Sequence, residues 1–138
     1  MSDLLPEGAK LVFDGTERHL YWDYGVIEKV QELYGGHPLI AIEKMFWEGQ
    51  LGDGQEVHYN LAKPVLDLLT ILLNNEVERE KFFEGKTNLK TYTREQVGYI
   101  IDRGNAGKAI EAIVASWMGS TPSAEDDGND EDDDLKNQ

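Results

Sequence analysis

The sequence predicts an α+β fold that is mainly helical, in which an N-terminal β-hairpin packs on a bundle of about four to five helices. Two short apolar runs flank an Asp-Gly turn within residues 11–22, and later apolar residues recur at helical spacing. The final segment, residues 121–138, contains almost no apolar side chains. We therefore expect one globular helical domain over residues 1–120 and a disordered acidic tail over residues 121–138.

The hairpin is predicted by the runs LVF at residues 11–13 and LYW at residues 20–22, which favour extended backbone. Asp-Gly at residues 14–15 lies between them. A type I′ turn needs positive φ at both central residues, which Asp tolerates and Gly adopts freely. We expect residues 11–22 to form paired antiparallel strands.

A first helix is predicted to begin after Asp23, whose side chain can accept a backbone N–H of the first turn. Gly35 and Gly36 are expected to end this helix through a left-handed C-cap. Its apolar face would consist of residues spaced three or four apart, namely Tyr24, Ile27, Val30 and Tyr34.

A second helix is predicted to open at His37-Pro38, because proline suits a first helical turn, where its missing N–H would have no partner. Gly49 would end this helix, and residues 50–60 are expected to form a loop or an edge strand. One helical face would carry Leu39, Ile42 and Phe46, and another Ala41 and Met45.

A third helix, capped by Asn60, is predicted around the apolar run at residues 65–73 and should lie centrally in the core. Pro64 is tolerated because it falls in the first turn. Two asparagines at 74–75 are expected to break or bend the chain. A separate piece should follow them, with charged residues around Phe82-Phe83 and an end at Gly85.

Thr93 and Gln96 match a reciprocal capping box, which predicts a fourth helix. A last helix is predicted over residues 106–118, closed by Gly119. The inward positions of these two helices would be Val97, Ile100, Ile101, Ala109, Ile110, Ile113, Val114 and Trp117.

The chain is strongly acidic, with 27 acidic and 13 basic residues and a formal net charge of −14. Residues 121–138 contain eight acids and one lysine, so they carry −7 and the preceding 120 residues carry the other −7. This balance argues against electrostatic binding to nucleic acid or to an anionic membrane, since either needs positive patches.

The residue inventory excludes several kinds of site. The chain has no cysteine, and its histidines, His19, His37 and His58, are too scattered for a local metal motif. No apolar run approaches the roughly 20 residues of a membrane span, and the first residues lack the pattern of a signal peptide. We expect a soluble intracellular protein without metal or cofactor.

The sequence contains no recognisable catalytic or nucleotide-binding motif. The glycines at 35–36 and 49–54 match neither GxGxxG nor a P-loop, and the acids of residues 126–134 do not follow EF-hand spacing. Neither His19 nor His37 has a visible serine or carboxylate arrangement for acid/base chemistry. We therefore expect a protein that is not an enzyme; a small hydrolase with an unrecognised site is the alternative.

Large amphipathic aromatic residues are the candidates for a protein-binding surface, with core packing as their alternative role. These residues are Trp22, Trp47, Trp117, Tyr34 and Phe46. Phe46 and Trp47 are the preferred anchors, because they end the second predicted helix beside a glycine-containing loop. The candidate partner-binding residues are Trp47, Phe46, Tyr34 and Trp117.

The order of these elements resembles that of the tail assembly chaperones of long-tailed bacteriophages and prophages. The resemblance covers residues 10–118. It rests on a strand ending in Asp-Gly, a second strand carrying Leu20, a helix ending in Tyr-Gly, and a helix ending in Trp47-Glu48-Gly49. The run T-x-E-Q-V-x-x-I-I-D at residues 93–102, followed by a final helix, completes the pattern.

The resemblance implies a non-enzymatic helper in the host cytoplasm that is absent from the mature virion. Such a protein binds the tape measure protein, keeps it soluble and helps recruit tail tube subunits. Many members are also made in a longer form by translational frameshifting. The resemblance assigns no contact residues and leaves self-association open. Physically, we expect an apolar or aromatic face of the helical body to cover a hydrophobic helix of the partner.

The alternative is an adaptor or regulatory protein of unrelated origin that uses its acidic tail to bind a basic protein partner. Deleting residues 121–138 separates the two hypotheses. The adaptor should lose binding, whereas the chaperone should keep most of it.

Overall fold

The structure is a computed structural model that describes residues 8–37, 40, 42, 61–87 and 90–120. The described chain contains a two-stranded hairpin and four helices, so the predicted mainly helical α+β fold with an N-terminal hairpin is confirmed. These elements are β1 (Ala9–Phe13), β2 (Thr16–Leu20), α1 (Tyr24–Tyr34), α2 (Ala62–Glu84), α3 (Arg94–Ile100) and α4 (Ala106–Ser120).

The hairpin has the predicted turn. β1 and β2 pair antiparallel, from Ala9 opposite Leu20 to the turn at Asp14 and Gly15. The backbone φ is 55° at Asp14 and 78° at Gly15, positive at both central positions as a type I′ turn requires. One face of the hairpin enters the core through Leu11, Phe13 and Leu20.

The strands end earlier than the predicted interval of residues 11–22. β2 stops at Leu20, so Tyr21 and Trp22 follow the strand. In the register of the hairpin, Tyr21 would pair with Gly8, whose φ is 81°. A Cβ at Gly8 would lie 2.9 Å from Leu20 O. Because the backbone leaves the extended conformation there, pairing stops and residues 21 and 22 turn toward the helices.

The caps of α1 are those that the sequence predicts. Asp23 Oδ1 accepts the Val26 N–H at 3.1 Å, and Gly35 forms a left-handed C-cap whose N–H donates to Gln31 O. Both ends of the helix are therefore determined by neighbouring residues.

The buried face of α1 differs from the prediction. Val26 and Val30 are fully buried, Ile27 and Tyr34 are half-buried, and Tyr24 is 87% exposed. Each residue advances about 100° around a helix, so Tyr24 lies about 200° from Val26. The prediction that Tyr24 belongs to the apolar face was wrong.

Ile40 and Ile42 are the described residues of the second predicted helix. Both have helical backbone, and the Ile40 N–H donates to His37 O at 3.0 Å. Ile42 is buried in the core. The other predicted face residues, the stop at Gly49 and the loop at residues 50–60 lie outside the described residues, as do Pro38 and the tail at residues 121–138.

α2 is the central helix, as predicted. It contacts β2 and each of the other three helices, and its fully buried residues include Leu68, Leu69, Leu72 and Leu73. Pro64 lies in the first turn. The N-cap residue is Leu61, which makes no side-chain cap bond, so the predicted cap at Asn60 was wrong.

The prediction that Asn74 and Asn75 break the chain was also wrong, because α2 continues through both. Asn74 exchanges two hydrogen bonds with the backbone of Tyr92, at 2.7 and 2.9 Å. The amide of Asn75 donates to Asp23 Oδ2 at 2.9 Å. Asparagine disfavours helix when its side chain bonds to its own backbone. Here both side chains bond to residues that lie outside α2 in the sequence, so the helix is not interrupted.

α3 begins with the predicted capping box. The Gln96 N–H donates to Thr93 Oγ1 at 3.1 Å, and the Thr93 N–H donates to Gln96 Oε1 at 3.0 Å. α4 runs to Ser120, so Gly119 does not close it as predicted. Ala109 and Ile113 form the most buried part of its apolar stripe, and Ile110 and Trp117 pack at its sides.

None of the helices in the described ranges is both long enough and apolar enough to cross a membrane.

Candidate functional site

A buried ion pair fixes the hairpin on α2. Arg18 Nε donates to Glu76 Oε1, and Arg18 Nη2 donates to Leu73 O at 3.0 Å. The second carboxylate oxygen, Glu76 Oε2, accepts the His19 backbone N–H at 2.9 Å. Both side chains are almost fully buried. Every strong contact of this carboxylate is therefore made within the fold, and the pair holds the outer edge of β2 against the helix.

The sequence predicts no acid/base arrangement at His19, and in the structure two carboxylates lie near its ring. His19 Nε2 lies 3.8 Å from Glu17 Oε2, and His19 Nδ1 lies 3.9 Å from Glu76 Oε2. Both distances exceed the roughly 2.6–3.2 Å that proton transfer between positioned groups needs. Because Glu76 is also bonded to Arg18, these residues do not form an acid/base pair.

A second polar contact positions Arg79, whose side chain is largely buried. Asp23, which caps α1, accepts from Asn75 at 2.9 Å and from Arg79 Nη1 at 3.1 Å. Burial alone would raise the pKa of Asp23, but the hydrogen bonds from Asn75, Val26 and Arg79 outweigh it and leave the pKa below its ordinary value. The carboxylate stays charged and holds the guanidinium in one place.

Arg79 lies over the rings of half-buried Tyr21 and exposed Phe83. Its Cζ lies 4.0 Å from the ring centroid of Tyr21 and 5.3 Å from that of Phe83. The rings of Phe82 and Phe83 meet edge to face, with centroids 5.0 Å apart. We call Tyr21, Arg79, Phe82 and Phe83 the aromatic patch.

The patch lies at the C-terminal end of α2, beyond Val77, the last buried residue of that helix. Phe82 is 82% exposed and Phe83 is 51% exposed. The other two edge-to-face ring pairs among the described residues each include a buried ring, Phe13 or Trp22. The Phe82–Phe83 pair therefore presents an edge-to-face aromatic surface to solvent.

The chemistry of the aromatic patch is that of a protein-binding site. Aromatic residues and arginine are enriched in the cores of protein interfaces and among the residues that contribute most to binding. An arginine held by a carboxylate and stacked on two rings has little freedom left to lose on binding. The patch can accept apolar side chains of a partner without rearranging the core.

Of the four predicted partner-binding residues, the two that the structure describes, Tyr34 and Trp117, do not belong to this patch. Phe46 and Trp47 lie outside the described residues. Trp117 packs edge to face on Trp22 at 4.9 Å, and the Trp22 indole donates to a serine of α4. The Tyr34 hydroxyl is bonded to a carboxylate of α2. The two described candidates are thus packed against different parts of the body.

The carboxylate bonded to Tyr34 belongs to Asp67, which is buried at the junction of α1, α2 and α3. It accepts from the Tyr34 hydroxyl at 2.9 Å, from Lys63 at 2.9 Å and from Arg94 at 2.7 Å. Burial alone would raise the pKa of Asp67, but these donors outweigh it and lower the pKa. Burial, together with the Asp67 carboxylate, raises the pKa of Tyr34. The cluster joins three helices. Both carboxylate oxygens of Asp67 already accept hydrogen bonds within it, so Asp67 is not placed to act in catalysis.

An apolar groove of about 320 Å³ lies between the start of α2, the end of α3 and the start of α4. Its size is at the lower end of ligand-binding pockets. Asp102 is one of its polar lining residues, and its carboxylate accepts the N–H groups of Gly104 and Asn105. The groove can hold one or two apolar side chains and has no group placed for catalysis. The apolar lining consists of Ala62, Val65, Leu66, Gly98, Ile101 and Ala106.

No group of three or more histidine, aspartate or glutamate residues within the described ranges is arranged to hold a metal ion. The sequence did contain a signal for the aromatic patch, because Phe82 and Phe83 stand together in a charged segment. Two adjacent phenylalanines among charged residues do not continue an apolar face of the helix. The role of Arg79 had no such signal, since Tyr21 lies 58 positions away.

Models of known protein families, curated protein sequences and solved structures yield no match to this chain.

Proposed function

We propose that the protein is a tail assembly chaperone of a long-tailed phage or prophage. In this role it is a non-enzymatic helper that binds the tape measure protein in the host cytoplasm and keeps it soluble. It also helps recruit tail tube subunits. The observation that supports the proposal is the aromatic patch, an exposed and internally braced surface of the kind that binds another protein.

Binding would cover an apolar helix of the unassembled tape measure protein. Phe82 and Phe83 extend beyond the core end of α2, so a partner helix can lie across them. Burying one phenylalanine side chain contributes about 1.5–3 kcal/mol, before the cost of association is subtracted. Two rings therefore support weak and reversible binding, which suits a helper that is released.

The distribution of charge fits a protein that keeps a partner soluble. The described residues contain thirteen acidic and eleven basic side chains, a net charge of −2. The rest of the chain therefore carries −12 of the total −14, with −7 in residues 121–138. A high net acidic charge opposes aggregation, and the near neutrality of the described residues avoids repelling partners from the patch.

Coexpression tests this proposal. A tape measure fragment that is insoluble alone should become soluble with the wild-type chain. The double variant Phe82→Ser/Phe83→Ser should lose most of that effect, because it removes the apolar surface of the patch. Tyr99→Ser is the matched control, since Tyr99 is an equally exposed aromatic residue on α3, and it should behave like wild type.

A tape measure fragment that stays insoluble with the wild-type chain would contradict the proposed partner. Solubilisation by the double variant at the wild-type level would show that the patch is not the binding surface. Circular dichroism of each purified variant verifies that the fold is retained.

The concentration of acid in residues 121–138 favours a second candidate, the acidic-tailed adaptor that binds a basic protein. Deletion of these residues would abolish binding by the adaptor. The chaperone would keep most of its binding, because the patch remains.

A further inference from the structure

The outer edge of β1, the side of the strand that faces away from β2, is a second surface with the chemistry of a binding site. We propose that this edge binds an extended peptide segment of a partner protein, which adds a third strand to the hairpin through main-chain hydrogen bonds. Such binding is separate from the aromatic patch and goes beyond the proposed function.

The pairing of the hairpin identifies the backbone groups at this edge. The His19 N–H points away from β1, because it donates to Glu76 Oε2 at 2.9 Å. Facing residues of an antiparallel pair alternate between those that bond to each other and those whose backbone groups point outward. Lys10 is opposite His19, and Val12 is opposite Glu17, two positions away. The N–H and C=O groups of Lys10 and Val12 therefore point out from the outer edge of β1.

The two edges of the hairpin differ in what covers them. On β2, the Glu76 carboxylate of α2 accepts the outward N–H of His19. On β1, no described residue donates to or accepts from the outward backbone groups of Lys10 and Val12. Donors and acceptors are therefore available there at the spacing that another extended backbone matches.

β1 also lacks the features by which edge strands usually avoid pairing, such as proline, a bulge or a charged side chain over the edge. Its sequence is AKLVF, and its register with β2 is continuous. The Lys10 side chain is directed toward β2, since its Nζ lies 3.9 Å from Glu17 Oε2. Val12 is 71% exposed. Because Lys10 and Glu17 neutralise each other, the added strand is selected by its backbone and by an apolar side chain beside Val12.

The packing of α4 decides between a peptide and a second copy of this chain. α4 packs mainly beneath β1, whereas α2 packs beneath β2. If the β1 strands of two copies paired, they would lie about 4.7–4.9 Å apart, each with its α4 beneath it. Packed helices need about 8–10 Å between their axes, so the two α4 helices would overlap. A single extended peptide carries no such helix and fits the edge.

A synthetic peptide tests the site in the full-length chain. The probe alternates threonine and valine and has lysine at both ends. Its control is the same sequence N-methylated at every residue, which keeps the charges and removes the backbone donors. The unmodified peptide should bind at least about tenfold more tightly than the control, because it alone can donate main-chain hydrogen bonds.

Amide hydrogen exchange, followed by NMR, locates the bound peptide. Exchange should slow much more at Lys10 and Val12 than at Leu11, whose N–H already bonds within the hairpin. This measurement uses the unaltered chain, so it does not depend on whether a variant folds.

Two substitutions at Val12 separate main-chain from side-chain recognition. Val12→Pro removes the outward N–H without removing a bond of the hairpin, a change that edge strands tolerate, and it should weaken binding at least about tenfold. Val12→Thr keeps the N–H and the branched Cβ, so it should keep most of the binding. Circular dichroism of both variants verifies the fold.

Three results would overturn the inference. The first is equal binding of the peptide and its N-methylated control, and the second is unchanged exchange at Lys10 and Val12. The third is a loss with Val12→Thr as large as that with Val12→Pro, since an apolar side-chain contact, and not strand addition, would then hold the peptide. None of these results bears on solubilisation of the tape measure fragment, which tests the aromatic patch.

Discussion

At the scale of single residues, the pair of Arg18 and Glu76 shows how a charged contact can serve the fold alone. The guanidinium bonds to the carboxylate and to a carbonyl of α2, and the carboxylate also accepts a backbone N–H of β2. Both charges are withdrawn from water. Such a pair is tolerated because each donor and acceptor has a partner.

Removing one member should therefore be costly. We predict that Glu76→Ala lowers the free energy of unfolding by about 3–5 kcal/mol, since it leaves the Arg18 charge buried and unpaired. Urea denaturation followed by circular dichroism measures this loss.

Glu78→Ala is the control for this substitution. Glu78 is exposed and pairs with Lys81 at 3.6 Å, and an exposed pair of this kind contributes at most about 1 kcal/mol. Similar losses for the two variants would show that burial of the Arg18 pair is energetically unimportant.

At the scale of elements, the hairpin depends on one glycine. Gly15 has a φ of 78° and open space around its position. We predict that Gly15→Val destabilises the protein by about 1–2 kcal/mol through backbone strain alone, since no neighbour would clash with the new side chain. The shift in the thermal unfolding midpoint measures it.

A glycine in ordinary helical conformation gives the opposite expectation. Gly25 in α1 does not have a positive φ, and an added Cβ would meet its nearest atom at 3.6 Å. Gly25→Ala should therefore stabilise the protein by about 0.4–1 kcal/mol. A loss at Gly25 as large as that at Gly15 would show that crowding by the added side chain, and not the backbone φ, explains both.

The capping box of α3 permits a separate prediction. Thr93→Ala removes the hydroxyl that accepts the Gln96 N–H, and it should cost about 1 kcal/mol in urea denaturation. Thr91→Ala, an exposed threonine two residues earlier, should change stability by less than about 0.5 kcal/mol. An unchanged midpoint for Thr93→Ala would mean that packing of Val97 alone specifies the helix.

At the scale of the whole molecule, two carboxylates join separate helices and make stability depend on pH. Asp23 links α1 to α2, and Asp67 links α1, α2 and α3. The pKa of each lies below its ordinary value in the folded protein, because hydrogen bonds outweigh the effect of burial. Their stabilisation is therefore complete above the unfolded pKa of about 3.9 and is lost as the pH falls through the folded pKa.

We predict that the urea midpoint stays nearly constant from about pH 7 to pH 5 and falls below about pH 4. Asp67→Asn should start from a lower midpoint, because Lys63 and Arg94 lose their charged partner, and it should then fall less steeply. Parallel curves for the variant and the wild type would contradict the assignment to Asp67.

The local elements could be predicted because their causes lie within a few residues of one another. The Asp14-Gly15 turn, the Asp23 cap and the Thr93 capping box each depend on a backbone group at most three positions away. The run at residues 65–73, which is apolar almost all round the helix, likewise identified α2 as central. Composition excluded disulfides, because the sequence contains no cysteine.

Contacts between distant residues were decided by the tertiary structure. Arg18 and Glu76 are 58 positions apart, and no local pattern indicates that one charge will neutralise the other in the core. The sequence predicts that Asn74 and Asn75 break or bend the chain, but Tyr92, just before α3, and Asp23, the N-cap of α1, provide partners for their amides. The aromatic patch forms because packing brings Tyr21 over Arg79, and such long-range proximity depends on how all the elements pack together.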